Sequence, residues 1–185
     1  TINIDYTNKS TIEFMKNGTV NADYSTLHIE KTGNVKLNAD YSHVSIGTIN
    51  SLDYNCDYGD LKIETANDLN GNCDYMHTTV EKLSGSGVLN IDYGSLKINS
   101  LAPDFKQLTV VSSYTQMKFG VNAASSFNLE ANLNYGNLKT DNGFTFNKEI
   151  SKTTSKYYEG YFKSPNPNSN INIKSSYGNV SFTNN

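Results

Sequence analysis

A phrase of the form Asn-x-Asp-Tyr-(Gly/Ser)-x-apolar-x-apolar recurs through the chain, with its tyrosine at Tyr6, Tyr24, Tyr41, Tyr58, Tyr75, Tyr93, Tyr114, Tyr135 and Tyr177. The spacings are 18, 17, 17, 17, 18, 21, 21 and then 42 residues. Self-similarity at so short a period marks a stack of repeated units. A unit of this length cannot bury its own apolar edge, so it must pass that edge to neighbours above and below. The final gap is twice 21, which predicts one degenerate coil plus a loop, and about ten coils in all.

Aligned on tyrosine, the units show a period of two, the alternation of strands. Two residues before Tyr come Ile4, Ala22, Ala39, Cys56, Cys73 and Ile91; three and five after it come pairs such as Leu27/Ile29, Leu61/Ile63 and Leu96/Ile98. Polar residues lie between these columns: Asn21, Asn38, Asn55, Asn72 and Asn90; Asp5, Asp23, Asp40, Asp57, Asp74 and Asp92; and, past the corner, Lys62, Lys97, Lys118 and Lys139. The reading is all-β: a single-stranded parallel β-solenoid of about ten coils of 17–21 residues, stacked at ~4.8 Å. It is expected to be right-handed, the default for parallel crossovers. One domain covers 1–185, with an irregular loop or cap excursion at about 141–170.

Composition narrows the partners. The 15 basic residues are all Lys, against 18 acidic ones, for a formal net charge of −3. A chain without Arg or a basic balance is not expected to bind nucleic acid. No apolar run approaches the ~18 residues of a membrane span. Two Cys are too few for a disulfide framework. The chain opens inside the repeat, at Thr1-Ile2-Asn3-Ile4-Asp5-Tyr6. That start reads as a processed or trimmed end, so the missing export signal does not bear on localisation.

The phrases Asp57–Ile63 and Asp92–Ile98, the closing run Ile171–Val180 and the aromatic stretch Tyr157-Tyr158-Glu159-Gly160-Tyr161 resemble the adhesin-like β-solenoid domains of bacterial cell-envelope proteins. The likeness spans nearly the whole chain, and its motifs specify a coil rather than a site. It implies export to the cell surface, outer envelope or periplasm, and a non-enzymatic adhesin-like or scaffold role with a surface glycan or protein as partner. The other reading is a carbohydrate-active β-helix enzyme of the pectinase kind.

Several features are candidates for chemistry. The tyrosine column matches the phase of the apolar columns and is expected inside, as a buried aromatic ladder at the corner. The aspartates, one per coil, would repel one another by roughly 1 kcal/mol per neighbouring pair in water. They are expected to accept backbone N–H bonds at the corner rather than to hold a row of cations, because the Gly-Gly-x-Gly-x-Asp repeat of calcium β-rolls is absent. His43, Asp60 and His77 fall in vertical register; as an incidental column on the surface they do not close a coordination shell, and no metal or cofactor is expected. Glycoside hydrolysis needs a local carboxylate pair, whereas these carboxylates repeat uniformly. Ser84-Gly85-Ser86-Gly87 lacks the strand–turn–helix setting of a nucleophile elbow. No catalytic residue is assigned.

Cys56 and Cys73 share one inward column a coil apart and are expected as buried neighbours with free thiols. The open start of the stack is expected to invite end-to-end or edge self-association. Candidate partner-binding residues are Tyr157, Tyr158, Tyr161 and Phe162, in the stretch where the repeat breaks, since loops on a rigid scaffold commonly carry function. The same residues could instead form a lid over the C-terminal coils.

Overall fold

The computed structural model describes residues 1–165 and 167–185. It is all-β. Its strands are β1 (Ile2–Asp5), β2 (Ser10–Asp23), β3 (Thr26–Asp40), β4 (His43–Leu83), β5 (Ser86–Asp92), β6 (Ser95–Leu101), β7 (Gln107–Ser113) and β8 (Gln116–Val121). They continue with β9 (Phe127–Asn134), β10 (Leu138–Thr140), β11 (Phe144–Ser151), β12 (Ser155–Phe162), β13 (Ser169–Ser176) and β14 (Val180–Asn184). All fourteen belong to one hydrogen-bonded sheet.

Most pairs are parallel, at the offset of the repeat. Val20 opposes Leu37 and Ala22 opposes Ala39; Leu37 then opposes Tyr54 and Ala39 opposes Cys56. Each repeat therefore sets its apolar positions over those of the next, and the columns read from the sequence become vertical rows. Leu61, Ile63, Leu96 and Ile98 are at most 1% exposed, while Lys62 and Lys97 are exposed and Asp57 and Asp92 half-buried. A side chain of Leu or Ile size contributes ~1.5–3 kcal/mol when taken from water, and one continuous apolar cluster runs from Ile4 to Phe182. Cys56 and Cys73 are buried in that cluster as free thiols.

The sheet departs from a wholly parallel stack at its C-terminal end. The 42-residue gap does not hold a degenerate tenth coil. Instead β11 and β12 form an antiparallel hairpin, and β12 lies antiparallel along β9. The chain then turns back. β13 inserts between β7 and β9, parallel to both, and β14 inserts between β8 and β10. Phe127, Phe144 and Phe162 pack at this end, with ring centroids 4.9–5.9 Å apart. Of the loop expected to carry part of the surplus chain, Asn166 lies outside the described residues.

Candidate functional site

The tyrosine column lies outside, not in the core. All nine repeat tyrosines are between 44% and 78% exposed. Each has a left-handed backbone, φ 49–56°. A strand that continued through the corner would aim the residue two after an inward position inward again. The αL residue breaks that alternation and swings the ring out. The next residue takes the inward place: Ser25, Ser42, Met76 and Thr115 are buried. Ser25 Oγ donates to the Ile4 and Asp23 carbonyls, Ser42 Oγ to those of Ala22 and Asp40, and Thr115 Oγ1 to those of Ile91 and Ser113. The corner hydroxyl thus finds its own acceptors when buried, adding a second donor to the Asp23, Asp40 and Ser113 carbonyls, which already accept the Tyr6, Tyr24 and Tyr93 N–H groups.

The rings form an unbroken external stack in the order Tyr6, Tyr24, Tyr41, Tyr58, Tyr75, Tyr93, Tyr114, Tyr177, Tyr135, with centroids 4.7–5.1 Å apart and interplanar angles of at most 9°. Tyr177 enters between Tyr114 and Tyr135 because β13 does. Neighbours occupy both faces of each inner ring, so the ridge offers ring edges and hydroxyls. Open ring faces remain at the two ends, on Tyr6 and Tyr135, whose exposures of 78% and 59% are the highest in the row. Desolvation raises the Tyr58 phenol above its usual range, with Tyr75 and Tyr41 adding to it.

Beside the ridge runs the aspartate row. Asp23 Oδ1 accepts the Asp40 N–H at 3.4 Å and Asp57 Oδ1 the Asp74 N–H at 3.2 Å. These two carboxylates accept backbone N–H bonds from the neighbouring rung rather than from their own turn. Burial, then the charges of Asp57 and Asp23, holds Asp40 above the usual carboxylate range; burial, then Asp57 and Asp92, does the same for Asp74. Two positions before each tyrosine's aspartate partner is an asparagine ladder bonded amide to amide, Asn38 to Asn21 to Asn3 and Asn90 to Asn72 to Asn55, at 2.7–3.0 Å.

The histidine column is not drawn together. His43 Nδ1 lies 2.6 Å from Asp60 Oδ2, whereas His77 Nδ1 and His28 Nδ1 meet the hydroxyls of Ser95 and Ser45. Among the described residues no group of three or more His, Cys, Asp or Glu is placed to hold a metal ion.

Strand alternation splits the aromatic stretch. Tyr158 is 9% and Phe162 1% exposed; Tyr158 packs on Phe146 and Phe162 on Phe127. Tyr157 and Tyr161 are half-buried. The Tyr157 hydroxyl donates to Glu159 Oε2 at 2.8 Å, and Lys148 Nζ lies 5.2 Å from its ring centre. The Glu159 bond, with desolvation and the charge of Glu130, pushes that phenol up to about 12.

A sequence signal for the outward ridge exists. The inward columns stand two before and three after tyrosine, an odd separation, so strand alternation must fail once between them. The residue after tyrosine, small or hydroxylated in every repeat except that of Met76, fits a break at this corner.

No protein-family model, no curated protein and no solved structure matches this chain. Among the described residues, no helix is long and apolar enough to cross a membrane.

Proposed function

We propose that this chain is a β-solenoid module of the bacterial cell surface or envelope, acting without catalysis as an adhesin-like or scaffold domain that holds a glycan or protein partner. One observation carries the reading. Nine tyrosines in αL conformation are exposed in a single external row. A non-glycine αL residue is costly and a large exposed aromatic row is uncommon on a protein with no use for it. Tyrosine gives large contact area at low entropic cost, with a hydroxyl for hydrogen bonding. The regular rungs suit a rigid spacer that displays this ridge. The repeat of identical carboxylates along the Asp row fits structure better than an acid–base pair set in a cleft.

The purified domain carrying Tyr41→Ser, Tyr58→Ser and Tyr75→Ser tests the ridge against a glycan array and intact bacterial cells. The expected result is loss of binding with the strand circular dichroism signal retained. A second variant, Tyr157→Ser with Tyr161→Ser, tests the half-buried aromatics of β12 as the contact surface. Retained binding in the first variant and loss in the second moves the contact from the ridge to the hairpin. Retained binding in both, or no binding by the unaltered domain, overturns the reading.

A further inference from the structure

The geometry points to a second binding surface, a lysine-lined groove over the C-terminal rungs that takes a linear acidic polysaccharide. The inference rests on the surface-binding reading above for its class of partner, though it uses different residues. The groove encloses about 600 Å3, with Lys97, Lys118 and Lys139 in its lining. Lys97 opposes Lys118 on adjacent strands; Lys118 and Lys139 flank Ser181, one rung to either side. The ammonium groups therefore stand on three of four successive rungs spaced ~4.8 Å apart. All three lysines are exposed.

Like charges so arranged repel, and here nothing neutralises them. The lining includes no carboxylate, and among the described residues none of the three lysines forms an ion pair. The two acidic groups next along these strands are engaged elsewhere: Glu81 Oε2 accepts from Asn99 Nδ2 at 2.5 Å, and Asp141 Oδ2 accepts the Asn184 N–H at 2.9 Å. The rest of the rim is amide and hydroxyl, including Gln116, Asn137, Asn179 and Ser95, over a floor of buried Leu96, Met117 and Val180.

Charge is segregated along the stack. The aspartate row occupies the first six rungs, Asp5 to Asp92; at the same position Tyr114, Tyr177 and Tyr135 are preceded by Ser113, Ser176 and Asn134. In a chain of net charge −3, Lys118 and Lys139 thus lie on rungs from which the acidic row is missing, and Lys97 follows Asp92 on the last rung that carries it. An anionic polymer is the complementary partner. Amide and hydroxyl groups beside the lysines suit sugar hydroxyls, and the rung step is close to the length of one pyranose unit in an extended glycan. Repeating acidic sugars would set one carboxylate or sulfate near each lysine.

The test is titration calorimetry of the full chain with polygalacturonate and with dextran sulfate, using unmodified dextran as the neutral control and a DNA oligonucleotide as a polyanion that is not a glycan. At low salt at least one acidic glycan is expected to bind and dextran is not. Lys97→Gln, Lys118→Gln and Lys139→Gln together should weaken binding at least tenfold without lowering the melting temperature. Removing the distant exposed lysines, Lys9→Gln, Lys16→Gln and Lys31→Gln, should leave it within a factor of two. No binding of either acidic glycan, equal losses in the two variants, or DNA bound as tightly as the glycans would each overturn the groove. Loss of cell binding in the ridge variant with glycan binding intact separates failure of this inference from failure of the ridge.

Discussion

The ring of Tyr54 occupies the space above Gly71, so closely that a Cβ on Gly71 would lie 2.1 Å from Tyr54 Cζ. The two stand in one inward column, where the neighbouring rungs place Leu37 and Leu89. A large residue and an absent side chain together fill what two leucines fill elsewhere. Gly71→Ala should therefore destabilise by about 1–3 kcal/mol or more, through overpacking of a rigid core. Tyr54→Leu in the same chain should recover most of that loss. Urea denaturation of the single and double variants measures the coupling, and additive effects would refute the pairing.

At the corner, the cost of a substitution should follow backbone conformation as well as lost stacking. Tyr58 has φ 56°. Asn tolerates αL far better than a β-branched residue does. Tyr58→Val should thus cost about 1–2 kcal/mol more than Tyr58→Asn, although Val has the higher strand propensity. Thermal melts of the two variants decide it, and a more stable Val variant would remove αL strain as the explanation.

Burial pushes the Cys73 thiol up to about 12, and drives that of Cys56 higher still. In the native protein neither should react with iodoacetamide at pH 8; after unfolding, both should. The same shifts make stability fall with alkali. The folded state keeps its thiol protons while the unfolded chain loses them above about pH 8.5. The contribution is complete below that pH and declines between it and the folded value, by up to roughly 1.4 kcal/mol per pH unit for each thiol. Cys56→Ala with Cys73→Ala, which copies Ala22 and Ala39 in the same column, should flatten this limb of a stability–pH curve.

The aspartate row should act in the opposite pH range. Asp40 and Asp74 sit above their ordinary values, and Asp57 contributes to both. A carboxyl raised in the folded state favours folding more as it is protonated, so this part of stability grows as pH falls through the folded value toward the ordinary one. Asp57→Asn retains an acceptor for the Asp74 N–H and removes the central charge. It should raise the melting temperature at pH 7 and shrink the gain seen as pH falls from 7 toward the ordinary carboxylate value. A lower melting temperature at pH 7 would mean that the row stabilises the stack.

Removing residues 169–185 should not merely fray an end. β13 and β14 lie between strands that precede them in the chain, so the deletion takes out an internal rung. The rungs around Val20 to Ile98 should stay protected from proteolysis while 127–162 becomes cleavable, since stacked repeats hold mainly through their neighbours. Uniform protection across the shortened chain would contradict the insertion.

The repeat by itself determined strand content, the 17–18-residue register, the inward columns, the burial of Cys56 and Cys73 in one of them and the outward lysines. These follow from local alternation and a constant offset, which adjacent rungs enforce one on another. Two features were decided only in three dimensions. The tyrosine ring turns outward because the αL corner breaks the alternation at that residue; the odd separation of the flanking inward columns signals one break, but the phase before the corner pointed the ring inward. The 42-residue gap reads as one degenerate coil plus a loop because it is twice 21 and its closing strand keeps the Tyr-Gly-x-apolar-x-apolar half of the repeat phrase. Which rung that strand joins depends on the open edges available once the rest is folded. β12 covers the outer edge of β9, and the last strands enter between rungs already formed by earlier chain, a non-local choice that spacing along the sequence does not encode.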